Sequence, residues 1–185
     1  MQMAATNRQT TPAIRFRLAV PHDVPRVADL VNSAYRGATS RAGWTTEADF
    51  LGGQRTDAAA VAEIIASPAQ RMLVGERDGI LIGCACLEKV NAQTCHFGMF
   101  AIRPELQSRG IGKYFLAEAE RVARADLGCT VMRMLVITLR HELIAWYERR
   151  GYRRTGEREP FPYGNERFGL PLRDDLEFEV LVKTL

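Results

Sequence analysis

The run VMRMLVIT at residues 131–138 constrains the fold more than any other stretch. It is nearly all apolar and lacks polar alternation, so it predicts a strand covered on both faces, the setting of parallel pairing. Helical patterns flank it. Before it, Gly110 to Leu127 carries Ile111, Phe115, Ala119 and Val122 at helical spacing, with Gly128 past the end. After it, Arg140 to Arg150 makes a shorter helix stopped by Gly151. A buried strand between two helices implies a mixed α/β arrangement. With 185 residues, 46% hydrophobic and 25% charged, the expectation is one domain over residues 13–185 after a disordered leader at 1–12. A chain of this length buries about 70% of its unfolded surface, enough for a core without disulfides or a structural metal.

The other elements follow from shorter signals. IRFRLAV alternates from Ile14, placing Ile14, Phe16 and Leu18 on one face of a strand. Val24, Val27, Leu30, Val31 and Ala34 mark a helix stopped at Gly37, and Asp57 caps another that carries Val61, Ile64 and Ile65. RMLVGERDGILIGCACLEKV reads as two strands joined at Asp78-Gly79, a strong hairpin signal. TCHFGMFAIRP is a further strand, ended by Pro104. GWTTEADFLGGQRTD has neither period and reads as a loop with a helical turn, and Pro160 to Pro171 is a second long loop. The closing LEFEVLVK alternates well. If it ends a sheet, its unpaired edge could join a second copy, so a homodimer is expected.

Several classes are disfavoured by composition. Net charge is 25 − 22 = +3, too mild to imply nucleic acid, and the arginines from Arg149 to Arg158 are offset by Glu148, Glu157 and Glu159. No run approaches the ~18 apolar residues of a spanning helix, and the N-terminus lacks the apolar core of a signal peptide. Cys84, Cys86, Cys95 and Cys129 form no metal-ligand spacing, so they read as buried thiols with no metal. A reducing cytoplasm suits them.

Chemistry concentrates in two segments. In IRPELQSRGIGKYFLAEAE, the run Gln107-Ser108-Arg109-Gly110-Ile111-Gly112 follows a strand and opens a helix, with Lys113 beside it. Glycines let backbone N–H groups approach an anion, and the helix N-terminus adds partial positive charge. A diphosphate fits such a pocket, yet a plain glycine-rich turn is the competing reading. In TLRHELIAWYERRGYRRTGE, Leu143, Ile144 and Tyr147 share one helix face, so Tyr147 points toward the sheet. Open α/β sheets bind ligands at the carboxyl ends of strands, where this helix begins.

Together the two segments resemble the GNAT superfamily of N-acetyltransferases. The first is similar to its acetyl-CoA signature, Q/R-x-x-G-x-G/A, behind a strand ending in Ala-Ile-x-Pro. The second is similar to its later apolar strand and the helix ending Trp-Tyr-Glu-Arg-Arg-Gly-Tyr. The resemblance runs from Ile14 to Lys183. It implies a mostly antiparallel twisted sheet, splayed at two parallel middle strands and flanked by about four helices. It implies acetyl-CoA as cosubstrate and acetyl transfer to a small-molecule primary amine by direct attack in a ternary complex. By the same resemblance, the backbone of Phe100, Ala101 and Ile102 pairs with the pantetheine arm. The N–H groups from Gln107 through Ser108, Arg109, Gly110, Ile111 and Gly112 to Lys113 cradle the pyrophosphate, and Tyr147 protonates the departing thiolate. A thiol near pKa 8.5 and a tyrosine near about 10 make that transfer nearly balanced. Arg140 stands where many members carry Asn, so that residue's contacts are not carried over.

The acceptor amine must lose a proton. His96, six residues before Ile102, is the first candidate base, with Glu88 and Glu142 behind it and a structural histidine as the alternative. The two irregular loops supply acceptor-site candidates: Trp44, Thr45, Glu47 and Arg55 in the first, Tyr163, Arg167 and Phe168 in the second, with Glu47 suited to an ammonium. Competing readings are an acyl-CoA-sensing domain without turnover and an acetyltransferase acting on a protein or peptide amine.

Overall fold

Asp78 and Gly79 both take left-handed backbone, φ 51° and 75°, which a two-residue hairpin turn of type I′ requires. They join β3 (Gln70–Arg77) to β4 (Ile80–Lys89) at the expected place. The structure is a computed structural model and describes residues 13–185, so the expected leader at 1–12 lies outside the described residues. Preceding the hairpin are β1 (Arg15–Leu18), α1 (Val24–Tyr35), the short α2 (Gly37–Ser40), β2 (Leu51–Gly52) and α3 (Ala58–Ala66). Following it are β5 (Thr94–Ile102), α4 (Ile111–Ala125), β6 (Val131–Ile137), α5 (His141–Glu148), β7 (Arg153–Pro160), β8 (Leu170–Pro171) and β9 (Glu177–Thr184). Asp57 caps α3 as expected, its Oδ1 accepting from Ala60 N at 2.8 Å.

Seven strands form one sheet in the order β1-β3-β4-β5-β6-β9-β7, and every pairing is antiparallel except β5 with β6. That parallel pairing is brief. Only Thr94, Cys95 and His96 face Val131, Met132 and Arg133 in register, so beyond His96 the two strands part. Met99 contributes to the parting: its φ of 46° and the register shift opposite it, between Cys84 and Cys86, bulge β5. A sheet splayed between two parallel middle strands is therefore what forms.

Apolar residues cover both sheet faces. On one, Leu116, Ala119 and Val122 of α4 pack over Leu73, Leu87, Phe97, Met132 and Met134, and Phe115 of the same helix packs with Ile82 and Ile102. On the other, Val27, Leu30 and Val31 of α1 pack over Met72, Val74, Cys84 and Ala101. Burying each large side chain contributes about 1.5–3 kcal/mol, which sets both helices firmly on the sheet. The four cysteines are buried and unbonded to one another. Burial pushes the thiols of Cys84, Cys86 and Cys95 up to about 12, so they stay protonated.

Two expectations need correction. Strand β6 alternates between buried and half-buried residues rather than being sealed on both faces, and it is parallel to β5 only at its start. Helix α1 ends at Tyr35, just before Gly37, as expected, and Gly37, left-handed at φ 69°, opens the separate short α2. The C-terminal strand β9 is not an edge: β6 pairs with it on one side and β7 on the other. The edge on that side is β7, which is charged, exposed and broken in register between Arg154 and Arg158, features that blunt an edge against further pairing. Finally, β2 and β8 pair as a separate two-stranded sheet, tying the two irregular loops together.

Candidate active site

The splay between β5 and β6 opens two adjoining cavities. The larger, about 620 Å³, runs from the start of α4 to α5. The smaller, about 150 Å³, lies deeper, under the two tied loops. Tyr35, Phe100, Arg140, Leu143 and Tyr147 border both.

The wall at α4 is built for an anion. Gly110 is its N-cap at φ 75°, Ser108 is left-handed at φ 63°, and no side chain caps the helix. The first-turn N–H groups of this 15-residue helix therefore keep their donors for a ligand. Gly112 serves a different purpose, since a Cβ there would lie 3.2 Å from Cζ2 of Trp146. Phe100, Ile102, Gln107, Ser108, Gly110, Gly112 and Lys113 line the large cavity. Ala101 and Ile111 instead turn into the core, and Arg109 lies outside the lining. The Gln107 side chain is spent within the protein. Its Oε1 accepts from Trp44 N (3.0 Å) and Thr45 N (3.2 Å), and its Nε2 donates to Thr45 Oγ1 (2.9 Å) and Ile102 O (3.0 Å). Trp146, Arg149 and Arg150, not foreseen as ligand residues, line the opposite wall. The Arg150 guanidinium lies 3.5 Å over the Trp146 ring.

Tyr147 reaches the boundary of both cavities from α5 and is 5% exposed. Among the described residues its hydroxyl makes no hydrogen bond within the protein, unlike Tyr35, whose hydroxyl donates to Phe100 O at 2.8 Å. Burial pushes the Tyr147 hydroxyl well above the ordinary tyrosine range, with Tyr35 adding to the rise and Arg140 and Arg150 opposing it. It therefore holds its proton throughout the neutral range.

His96 lines the smaller cavity, beside Glu88 on β4 and Arg133 on β6. Burial, then Arg133, lowers its pKa below the ordinary value, against the pull of Glu88 and Glu159. It is neutral at pH 7. Glu47 lines the same cavity, but both of its oxygens are taken: Arg36 Nη1 donates to Oε2 at 2.6 Å and Arg140 Nη1 to Oε1 at 2.8 Å. Burial would raise the Glu47 carboxyl, but Arg140, Arg36 and Arg55 together hold it below the usual carboxylate range. Its charge is thus already balanced by guanidinium groups, which leaves little attraction for an acceptor ammonium there. Trp44 lines the large cavity, whereas Tyr163 lines neither: its hydroxyl accepts from Leu176 N at 2.8 Å and its ring packs on Phe161. Glu142 lies on the large cavity.

A family model described as the acetyltransferase (GNAT) family matches residues 27–152, from α1 through α5 to the start of β7. The chain belongs to the GNAT family. Solved structures of GNAT-like shape agree in fold. An N-acetyltransferase from Staphylococcus aureus superposes with TM-score 0.70 at 12% identity, covering 93% of this chain and 97% of that one. The protein yncA from Salmonella typhimurium, assigned as an acetyltransferase and solved with its cofactor acetyl-CoA, gives 0.69 at 17% identity, with 94% of each chain covered. A spermidine N-acetyltransferase, SpeG, from Vibrio cholerae gives 0.68 at 16% identity, covering 92% and 93%. Comparison with curated proteins gave no match. In this GNAT chain, Arg140 spends two of its donors on the Trp44–Glu47 loop: Nη1 on Glu47 and Nη2 on Thr45 O at 2.5 Å. Among the described residues no helix is long and apolar enough to cross a membrane.

Proposed function

We propose that the protein is an N-acetyltransferase that moves an acetyl group from acetyl-CoA to a primary amine of a small molecule. The carrying observation is Tyr147 at the boundary of two cavities, one headed by an uncapped helix N-terminus and the other enclosed by the loops. Acetyl-CoA fits the larger cavity chemically: the free N–H groups of α4 and Lys113 suit a diphosphate. Beyond His96, the β5 edge that faced β6 is left without strand partners there and suits an added extended arm. The thioester supplies an activated acyl carbon. The amine nitrogen bonds that carbon, the carbon–sulfur bond breaks, and two protons must be managed. His96, neutral and on the acceptor side, takes the amine proton directly or through water. Tyr147 gives its proton to the leaving sulfur and regains one from solvent. Burial that raises the Tyr147 pKa raises that of a thiol in the same place, so the transfer stays near balance.

Gly110→Asp tests this reading. A Cβ there meets only Lys113 Cε at 3.7 Å, so the substitution places a carboxylate at the helix N-terminus without crowding Trp146, at the cost of backbone strain from the residue's φ of 75°. Acetyl-CoA at roughly 100 times its Kd should stabilise the wild type by about 2.7 kcal/mol in a thermal melt. The variant should lose that shift, and thiol release against an amine panel should fall with it. Equal stabilisation of both proteins would remove the assignment. A protein that binds acetyl-CoA but releases no thiol with any amine would instead be a sensing domain.

A further inference from the structure

The smaller cavity has an unusual charge for a place that receives an amine. Arg36, Arg55 and Arg140 line it, and Glu47 is the single carboxylate among its lining residues. His96 is neutral, so three guanidinium charges face one carboxylate. Glu47 cannot satisfy them all. Arg140 and Arg36 each give it one nitrogen, and Arg36 Nη2 donates to Phe168 O at 3.1 Å. Arg36 is 5% exposed, and its Nε, without an acceptor, is closed off from the cavity on the Gly169 side. The Arg55 guanidinium lies 5.6 Å over the Tyr35 ring, and among the described residues it makes no side-chain hydrogen bond or ion pair.

We infer that the acceptor is an amino-acid-sized primary amine carrying a carboxylate, the carboxylate held at Arg55 in the positive field of Arg36 and Arg140 and the amine turned toward Tyr147. The inference rests on the acetyltransferase reading and names its substrate class. Arg36 and Arg55 line only the smaller cavity, whereas Tyr147 borders both, so one molecule placed this way spans from the anion site to the acyl carbon. Guanidinium pairs well with a carboxylate because its fork of N–H groups matches two oxygens. The cavity, about 150 Å³, limits the rest of the molecule, and Leu51, Phe161 and Phe178 give it an apolar wall. The excess positive charge acts twice. It repels polycations, and it lowers the pKa of a bound amine, favouring the free base that attacks. A carboxylate on the same molecule offsets the repulsion.

The test uses the full chain and matched acceptors: L-leucine against 3-methylbutylamine, 4-aminobutanoate against butylamine, and spermidine as a polycation. Calorimetry with acetyl-CoA comes first, and failure to bind would sink the acetyltransferase reading itself. Thiol release should then show kcat/KM at least ten-fold higher for a carboxylate-bearing amine than for its partner. Arg55→Gln should raise KM for that acceptor ten-fold or more and affect the partner amine far less, with Arg55→Lys recovering part of the loss. Equal use of the partner amine, preference for spermidine, or no turnover of either carboxylate-bearing amine overturns the inference. Binding of N-acetyl-L-leucine is a readout independent of acetyl-CoA. It should exceed that of N-acetyl-L-leucinamide and fall in Arg55→Gln; equal binding of the two compounds also overturns it.

Discussion

Arg140 Nη1 donates to Glu47 Oε1 at 2.8 Å, joining residues 93 positions apart in sequence. The pair ties the N-terminus of α5 to the loop over the smaller cavity, and both side chains are about nine-tenths buried. Arg36 completes a triad through the other Glu47 oxygen. Buried ion pairs are costly to break because the surviving partner is left uncompensated. Glu47→Gln leaves Arg36 and Arg140 facing each other across a neutral amide. It should cost about 3 kcal/mol of stability in urea denaturation. Arg140→Met leaves Glu47 paired with Arg36 and should cost less. A Glu47→Gln protein as stable as the wild type would show that the triad adds nothing to folding.

The Gln107 side chain links the cofactor-side loop to the acceptor-side loop, since all its polar partners are Trp44, Thr45 and Ile102. Gly43 permits the approach: a Cβ there would meet Gln107 Oε1 at 2.5 Å. Gln107→Ala removes several hydrogen bonds worth about 1 kcal/mol each at most, partly replaced by water. Hydrogen exchange of the Trp44 and Thr45 amides should accelerate, and acceptor KM should rise more than acetyl-CoA KM. Unchanged amide protection would mean the loop holds itself.

Tyr147→Phe separates a proton donor from a packing residue. The ring packs edge-on against Trp146 and Tyr152, and phenylalanine keeps those contacts. Because the hydroxyl makes no hydrogen bond within the described protein, stability should change by less than about 1 kcal/mol. Turnover should fall by roughly 10² to 10⁴ if that hydroxyl protonates the leaving sulfur. Acetyl-CoA affinity should stay, as the α4 contacts are untouched. A variant that turns over near the wild-type rate would take Tyr147 out of the reaction.

Features set by neighbouring residues were legible in the sequence. Asp78-Gly79 and the Asp57 cap are local geometry, and the apolar face of α4 is periodicity. Strand β7 was not legible, because an exposed edge carries no apolar alternation and Gly156, at φ 85°, sits within the break in its register. Nor was the place of β9, since alternation reports two faces but not which strands lie alongside. At the site, Glu47 read as a free carboxylate because its two arginine partners lie 11 positions before it and 93 after it. Tyr163 read as a substrate residue because a loop aromatic gives no sign of its hydroxyl partner, Leu176 N. Arg36 and Tyr35 close the end of α1, where the helical pattern simply stopped.

The role of His96 is decided by pH. Its pKa lies below the ordinary 6.5, so the neutral base form predominates at pH 7 and is lost only as pH falls below that value. With His96 as base, kcat/KM should be flat near neutrality and fall at lower pH, with the bend below 6.5. Tyr147, with its pKa raised, adds no alkaline limb in the neutral range. Arg133 is the handle. Its guanidinium lowers the His96 pKa and also pairs with Glu159, which pulls the other way. Arg133→Met removes the first effect and frees the second, so both changes raise the His96 pKa. The acid limb should move to higher pH, while the plateau rate stays closer to wild type than in His96→Gln, where that limb disappears and the plateau falls. A structural histidine gives a different result: the limb would stay in place in both variants, and His96→Gln would lose stability without losing rate per folded molecule. An acid limb that ignores Arg133→Met would return the base to Glu88, Glu142 or water.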